Sequence, residues 1–205
     1  MTLPAVVLFD LDGVLAHYDH APRLRVLAQR SGASVEAITQ ALFDSGLERD
    51  ADLGHYDAQG QVDELVRRLG APVSLADCIE ARRAAMRADL AVLALVRRVA
   101  ERSKVAILTN NNLLLRDHLL AICPPLFPLF DGRVFCSAQF GLAKPDPDIF
   151  HRCLASLDSE PRDAFFIDDK HENAEGARQA GLRAHHYRGL PTLLAELRLL
   201  GYPEN

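Results

Sequence analysis

Short, continuous runs of apolar residues recur along the chain and stop abruptly at polar residues. The first run, Ala5–Phe9, is rich in β-forming residues and ends at Asp10. Four later runs have a similar length and composition, and the last is the weakest: Val105–Leu108, Arg133–Cys136, Ala164–Ile167 and Ala184–Tyr187. Strands that are apolar on both faces are typical of a parallel sheet covered by helices on each side. The pattern therefore predicts a central parallel sheet.

Segments with helical periodicity lie between these runs. They are Leu90–Glu101, Pro147–Leu157, Glu172–Ala180 and Leu190–Leu200. Pro147 suits the first turn of a helix, whereas Gly181 and Gly201 suit helix ends. Because strands and helices alternate, the sequence predicts a doubly wound α/β fold with right-handed crossovers.

One long segment interrupts this alternation, between the first strand and Leu90. Its periodicity predicts four amphipathic helices: Arg23–Arg30, Val35–Ser45, Gln61–Leu69 and Leu75–Arg87. Ser34 and Ser74 suit helix N-caps, and Gly46 and Gly70 suit helix ends. A helical insertion of this length is not an ordinary crossover. We therefore expect residues 1–15 and 89–205 to form an α/β core domain, and residues 16–88 to form a small all-helical domain over the carboxyl ends of the strands.

Composition and charge narrow the class of protein. The chain has 205 residues, 49% of them hydrophobic, and a net charge of −5. This acidic balance argues against binding to nucleic acid or to an anionic membrane surface. No apolar stretch approaches the roughly 20 residues of a transmembrane helix, and Met1–Leu8 lacks the charged start of a signal peptide. With four cysteines that lack metal-binding spacing, a reduced, cytoplasmic enzyme or binding protein is the expectation.

Polar side chains follow the predicted strands at the points where the apolar runs stop. They are Asp10 and Asp12, Thr109 and Asn110, Lys144, and Asp168 and Asp169. Ligands of open α/β sheets bind beyond the carboxyl ends of the strands, so we expect these side chains to converge on one crevice. Four close carboxylates need a cation to stay ionised, and oxygen ligands of this kind suit Mg²⁺. The lysine, hydroxyl and amide groups suit a phosphoryl group.

These clusters and their neighbours resemble the four motifs of the haloacid dehalogenase-like hydrolase superfamily. The matching segments have the family's order and spacing and cover essentially the whole chain: Phe9–Val14, Ile107–Asn110, Gly141–Asp146 and Phe166–Asp169. The helical insertion is similar to the C1 cap of that family, which lies between the first two motifs. The resemblance implies a Rossmann-like core domain and hydrolytic chemistry.

The resemblance also implies a role for each matched residue. Asp10 corresponds to the nucleophile that forms an aspartyl-phosphate, and Asp12 to the general acid and base. Thr109 corresponds to a hydroxyl that binds the phosphoryl oxygens, with the amide of Asn110 assisting. Lys144 corresponds to the ammonium group that neutralises the phosphate and orients the nucleophile.

The same resemblance implies a Mg²⁺ site formed by Asp10, Asp169 and the adjacent Asp168, together with the backbone carbonyl of Asp12. Many relatives have Gly-Asp in the fourth motif and an aspartate four residues later, where this chain has Asp168-Asp169 and Asn173. This departure leaves open how many carboxylates bind the metal. The Asp-Asp…Asn form is similar to short bacterial sugar-phosphate phosphatases of the α-D-glucose-1-phosphate type, and to the phosphatase domain of soluble epoxide hydrolase.

Other polar residues near the motifs allow two interpretations. His17, at the start of the insertion, and His55, in a loop between its helices, are candidates for substrate binding or for solvated loop positions. Asn111 and Asn112 suit helix capping better than ligand binding. Arg82 is expected on a solvated helix face.

Together, the motifs favour a Mg²⁺-dependent phosphatase that acts on a small phosphomonoester, because a cap over the crevice would exclude polymers. A sugar phosphate is the preferred substrate, followed by a nucleoside monophosphate or phosphoglycolate. A phosphomutase needs the same two aspartates, and a non-catalytic phosphometabolite-binding protein would keep the same scaffold. A C–halogen hydrolase has no use for the acid at Asp12. We expect the partner to be a small phosphorylated metabolite, not nucleic acid or membrane, and the protein to be a monomer or a homodimer.

Overall fold

The structure, a computed structural model, describes residues 3–203 and contains two sheets. The strands, in chain order, are β1 (Val6–Phe9), β2 (Ala16–Tyr18), β3 (Met86–Ala88), β4 (Lys104–Thr109), β5 (Val134–Cys136), β6 (Ala164–Asp168) and β7 (Arg183–His186). The larger sheet has the order β5-β4-β1-β6-β7, and its strands pair in parallel. All five apolar runs form its strands, so the predicted doubly wound α/β fold is confirmed.

The helices surround this sheet and fill the insertion. In chain order they are α1 (His20–Ser31), α2 (Val35–Thr39), α3 (Leu47–Asp52), α4 (Ala58–Leu69), α5 (Leu75–Ala85), α6 (Leu90–Ala100), α7 (Leu113–Ile122), α8 (Ser137–Phe140), α9 (Pro147–Ala155), α10 (His171–Gln179) and α11 (Leu190–Leu200). Across residues 3–203, no helix has both the length and the apolar character that crossing a membrane requires.

Two of the predicted helices differ from the structure, and α3, α7 and α8 were not among the predicted helical segments. The predicted helix over Val35–Ser45 changes after α2 into a π-helical turn over Gln40–Asp44. The predicted helix over Leu75–Arg87 ends at Ala85, because the next three residues form β3 and pair with β2.

Alternate residues of the central strands pack on opposite faces of the sheet. Val7 and Phe9 contact the apolar faces of α6, α7 and α11, whereas Val6 and Leu8 contact those of α9 and α10. Each face is therefore buried, as the continuous apolar runs require. The chain passes from β1 to β4 and β5 on one side of β1 and then crosses back from β5 to β6 on the other side. This reversal of strand order opens a crevice at the carboxyl ends of β4, β1 and β6.

The insertion packs around an apolar cluster of its own. Its core residues come from α1 to α5 and the turns between them: Leu27, Ile38, Ala41, Leu42, Leu47, Leu65, Val73 and Ala81. The chain enters and leaves this region through the antiparallel β2–β3 pair, in which Ala16 is the partner of Ala88. We propose the domain boundaries at this pair, with a core domain over residues 1–15 and 89–205 and a helical domain over residues 16–88.

Gly176, in α10, touches the loop that carries Lys144. A Cβ added at Gly176 would lie 2.0 Å from the carbonyl oxygen of Pro145. Alanine inside a helix is ordinarily more stable than glycine by about 1 kcal/mol, so this contact decides the sign of the effect. We expect Gly176→Ala to lower the free energy of unfolding in urea. Gly60→Ala in α4 is the matched control, because its nearest atom is in the flexible side chain of Asp57. A Gly176→Ala protein as stable as the control would contradict this expectation.

Candidate active site

Lys144 holds two carboxylates together at the base of the crevice. Its Nζ lies 2.8 Å from Asp10 Oδ1 and 2.6 Å from Asp168 Oδ2, and it donates a third hydrogen bond to the carbonyl of Leu108 at 2.9 Å. All three donors of the ammonium group are thus used. The lysine side chain is fully buried, and the two carboxylates are nearly so. A buried charge of this kind is tolerated because it is paired on two sides.

Asn110 fixes the loop that carries this lysine. Its Nδ2 donates to the carbonyl of Lys144 at 2.8 Å, and its Oδ1 accepts from the backbone N–H of Lys144 at 2.9 Å. Asn110 also lines the cleft. The structure therefore places this amide beside the site, with a positioning contact that the sequence did not predict. Phosphoryl binding by Asn110 stays a prediction.

The fourth motif separates its two aspartates by environment. Asp168 accepts hydrogen bonds from Asn173 at 3.1 and 3.0 Å and from the backbone N–H of Lys170 at 2.8 Å, in addition to its contact with Lys144. Asp169 Oδ1, in contrast, is buried and has no hydrogen-bond partner within residues 3–203. Asn173 therefore fixes the orientation of the Asp168 carboxyl group through hydrogen bonds to both of its oxygens.

Oxygen atoms of Asp10, Asp168 and Asp169 lie within 4.8 Å of one another. Burial raises the pKa of Asp10 to about 7; Lys144 lowers that pKa, and the charge of Asp168 raises it. Burial and the charge of Asp168 also raise the pKa of Asp169. A cation next to these oxygens would offset both burial and repulsion, and the unpartnered Oδ1 of Asp169 provides a free ligand. The donor set therefore fits a hard cation such as Mg²⁺.

A second polar cluster surrounds Asp12. Its Oδ2 accepts from Arg82 Nη2 and from Asn111 Nδ2, both at 3.2 Å. Arg82 Nη2 also donates to Asn111 Oδ1 at 2.5 Å, and Asn111 Nδ2 donates to Thr109 Oγ1 at 2.9 Å. The guanidinium carbon of Arg82 lies 4.2 Å from the centre of the Tyr18 ring. The cluster therefore joins the first motif, the second motif and the helical insertion.

This cluster corrects two expectations. Arg82 was expected on a solvated helix face, but it is buried, because α5 turns this side towards the strand ends. The sequence does contain a signal: Cys78, Ala81 and Ala85 define a face at helical spacing, and Arg82 lies on it. Asn112 caps α7 as expected, whereas Asn111 has contacts within the site instead.

The cleft above these groups has a volume of about 370 Å³, which suits a small metabolite. Most of the predicted site residues line this cleft: Asp10, Asp12, His17, Thr109, Asn110, Lys144 and Asp169. Gly13, Tyr18, Lys170 and Asn173 line it as well. His17 lies at the cleft with a largely exposed side chain, 3.6 Å from Asp89. His55 is exposed and is not among the lining residues, so the structure does not bring it together with the others.

Gly13 allows the first motif to turn away from the site. Its φ of +89° is favourable only for glycine, and an added Cβ would lie 2.4 Å from Asp169 Oδ2. The turn after β1 and the fourth motif are thus packed directly against each other. This close approach brings Asp10 and Asp169 into one cluster.

The fold and the site together define an enzyme with a doubly wound α/β core, whose polar groups lie at the carboxyl ends of parallel strands. The family model of haloacid dehalogenase-like hydrolases matches residues 4–181, so the chain belongs to this family.

Individual relatives agree with this assignment. The chain is 30% identical to a phosphatase from Mycobacterium tuberculosis, over 90% of this chain and 87% of the relative. It is 27% identical to a sesquiterpene phosphatase from Aspergillus oryzae, over 94% of each chain. Among solved structures, a predicted HAD-like family hydrolase from Porphyromonas gingivalis superposes with a TM-score of 0.77, at 25% identity, over 98% of this chain and 100% of the other. A HAD family enzyme from Bacteroides thetaiotaomicron, solved with magnesium and inorganic phosphate, has a TM-score of 0.74 at 21% identity, over 89% and 93% of the two chains.

Proposed function

We propose that this protein is a Mg²⁺-dependent phosphatase that hydrolyses a small phosphomonoester through an aspartyl-phosphate on Asp10. The main observation is the convergence of Asp10, Asp12 and Lys144 on one cleft at the strand ends. A carboxylate nucleophile, a second carboxyl group and an ammonium group are what covalent phosphoryl transfer requires. The two full-length relatives that carry phosphatase names support the same activity.

In the first step, a carboxylate oxygen of Asp10 attacks phosphorus and the bond from phosphorus to the alcohol oxygen breaks. Asp12 gives its proton to that oxygen, so a neutral alcohol leaves. In the second step, a water molecule attacks phosphorus and passes a proton to Asp12. The bond between phosphorus and the Asp10 oxygen breaks, so inorganic phosphate is released and the Asp10 carboxylate is restored. Lys144 orients Asp10 in both steps, and Thr109 donates its hydroxyl hydrogen to a phosphoryl oxygen.

We assign the metal site to Asp10, Asp168 and Asp169, with the backbone carbonyl of Asp12 as a further ligand. The supporting observation is the cluster of carboxylate oxygens with a free, buried oxygen on Asp169. A bound Mg²⁺ would supply positive charge that offsets the carboxylates and the phosphoryl group.

The substrate that we propose is a sugar phosphate or another phosphorylated metabolite of similar size. The volume of the cleft supports a small substrate, and the insertion reaches the strand ends, where Arg82 of α5 contacts Asp12. His17 and Tyr18 line the cleft beside the phosphoryl site, so they are candidates to contact the alcohol portion of the substrate.

The test is release of phosphate from p-nitrophenyl phosphate and from a panel of sugar and nucleoside monophosphates, with Mg²⁺ and with EDTA. We expect turnover with Mg²⁺, at least about 100-fold slower turnover in EDTA, and recovery when excess Mg²⁺ is restored. A folded protein that releases phosphate from none of these esters would overturn the general phosphatase. Conversion of a sugar phosphate to its isomer without phosphate release would identify a phosphomutase instead.

A further inference from the structure

Arg82 is a buried cation whose single ion pair in the described part of the chain is with Asp12, while Glu48 and Asp52 are close enough to interact with its charge. Its side chain is 6% exposed, and the distance from Nη2 to Asp12 Oδ2 is 3.2 Å. Burying a guanidinium group is costly unless it is paired, and an apolar side chain would pack at that position without this cost. The placement of Arg82 therefore calls for an explanation beyond packing.

Two donors alone hold Asp12 within residues 3–203. Both Arg82 and Asn111 donate to Oδ2, while Oδ1 has no hydrogen-bond partner. Arg82 also orients the second donor, because its Nη2 donates to Asn111 Oδ1 at 2.5 Å. The direction of the Asp12 carboxyl group thus depends on Arg82 directly and again through Asn111.

Arg82 is itself held in place by the β2–β3 pair, through which the chain enters and leaves the insertion. The ring of Tyr18, on β2, lies 4.2 Å from its guanidinium carbon, and β2 pairs with β3, which follows α5. Stacking on an aromatic face restricts a guanidinium group and adds a favourable electrostatic contact. A long side chain that is fixed in this way can position its partner precisely.

We propose that Arg82 is a positioning residue for proton transfer by Asp12. This proposal rests on the proposed function, in which Asp12 protonates the alcohol oxygen as its bond to phosphorus breaks. When that proton leaves, negative charge develops on Asp12 beside the guanidinium group. The Arg82–Asp12 contact is therefore stronger in the transition state than in the ground state. A contact of this kind lowers the activation barrier for departure of the alcohol.

The proposal makes the effect of Arg82 depend on the leaving group. A nitrophenolate ion leaves without protonation, whereas an alkoxide must receive a proton. For Arg82→Gln we expect kcat/KM, which reports formation of the aspartyl-phosphate and not its hydrolysis, to fall roughly 100-fold with an alkyl phosphate, within the range of general acid catalysis. With p-nitrophenyl phosphate we expect kcat/KM to change little. The alkyl phosphate for this test is whichever sugar or nucleoside monophosphate the wild-type enzyme hydrolyses fastest. If none of them is hydrolysed, glycerol 2-phosphate is used.

Three variants control the comparison. Arg83→Gln removes the neighbouring exposed arginine and should leave both rates unchanged. Arg82→Lys keeps the charge, so it should recover part of the alkyl rate; it also serves as the main variant if Arg82→Gln unfolds in a thermal denaturation assay. In an Asp12→Asn background, Arg82→Gln should cause no additional dependence on the leaving group, because the two residues act in one step.

Equal losses of kcat/KM with both substrates would overturn the proposal and indicate that Arg82 binds the substrate directly. Wild-type-like rates for Arg82→Gln with both substrates would also overturn it. These outcomes require an active wild-type enzyme. A wild-type protein without phosphatase activity would instead reject the proposed function, so the two failures are distinct.

Discussion

Replacing Asp10 with asparagine is expected to abolish phosphate release and to leave the fold intact. Asparagine has the shape of aspartate, but its amide is not a nucleophile for phosphorus, so no aspartyl-phosphate forms. The buried ammonium of Lys144 keeps its contact with Asp168 and its hydrogen bond to a backbone carbonyl in the variant. We expect kcat to fall by at least about 1,000-fold, as for other covalent catalysts that lose their nucleophile.

The measurement is steady-state phosphate release with p-nitrophenyl phosphate, accompanied by circular dichroism and thermal unfolding. Asp44→Asn is the matched control, because it makes the same chemical change at an exposed position in the helical insertion. Asp10→Asn turnover within tenfold of the wild-type rate, from protein free of contaminating phosphatase, would rule out covalent catalysis at Asp10.

Replacing Lys144 with methionine is expected to impair both activity and stability. Methionine fills a similar volume, but Asp10 and Asp168 lose the ammonium group that lies between them. Breaking a buried ion pair from one side costs about 3–5 kcal/mol, since an uncompensated charge remains in the interior. We also expect kcat to fall by at least about 100-fold, because Asp10 loses both its orienting contact and the neighbouring positive charge.

Urea denaturation and phosphate release on the same samples test both effects of Lys144→Met. Lys104→Met is the control: this lysine lies at the start of β4 and donates to the carbonyl of Leu157 at 2.8 Å, a contact worth about 1 kcal/mol. Similar free energies of unfolding for the two variants would show that Lys144 does not compensate buried charge. Full activity in Lys144→Met would remove it from the mechanism.

The sequence predicts the sheet and the main site for the same physical reason. Strands such as β1 and β6 are buried on both faces, so they must be apolar throughout, and this composition is visible without any structure. The polar site residues come directly after these apolar runs, so Asp10 and Asp168 could be placed at the carboxyl ends of strands. Parallel pairing then brings these ends together.

The helical insertion was less predictable, because its important features depend on contacts between distant segments. β2 and β3 are only three residues long, and each forms only because the other is adjacent. Arg82 is far from Asp12 in sequence, and an arginine in an amphipathic helix is usually exposed. Both Asn111 and Asn112 were expected to cap a helix; Asn112 does so, whereas Asn111 donates to Asp12 and Thr109.

The β2–β3 pair also affects how the sequence of this protein can evolve. Tyr18 and Met86 are cross-strand partners, so the two ends of the segment between them are already held at the spacing of a hairpin. The entropic cost of closing that loop grows only slowly with the number of residues in it. Insertions, deletions or an entirely different segment can therefore replace residues 19–85 at little cost to the five-stranded sheet. Such exchanges would alter which alcohol the enzyme accepts, while the aspartates and the lysine at the strand ends stay in place.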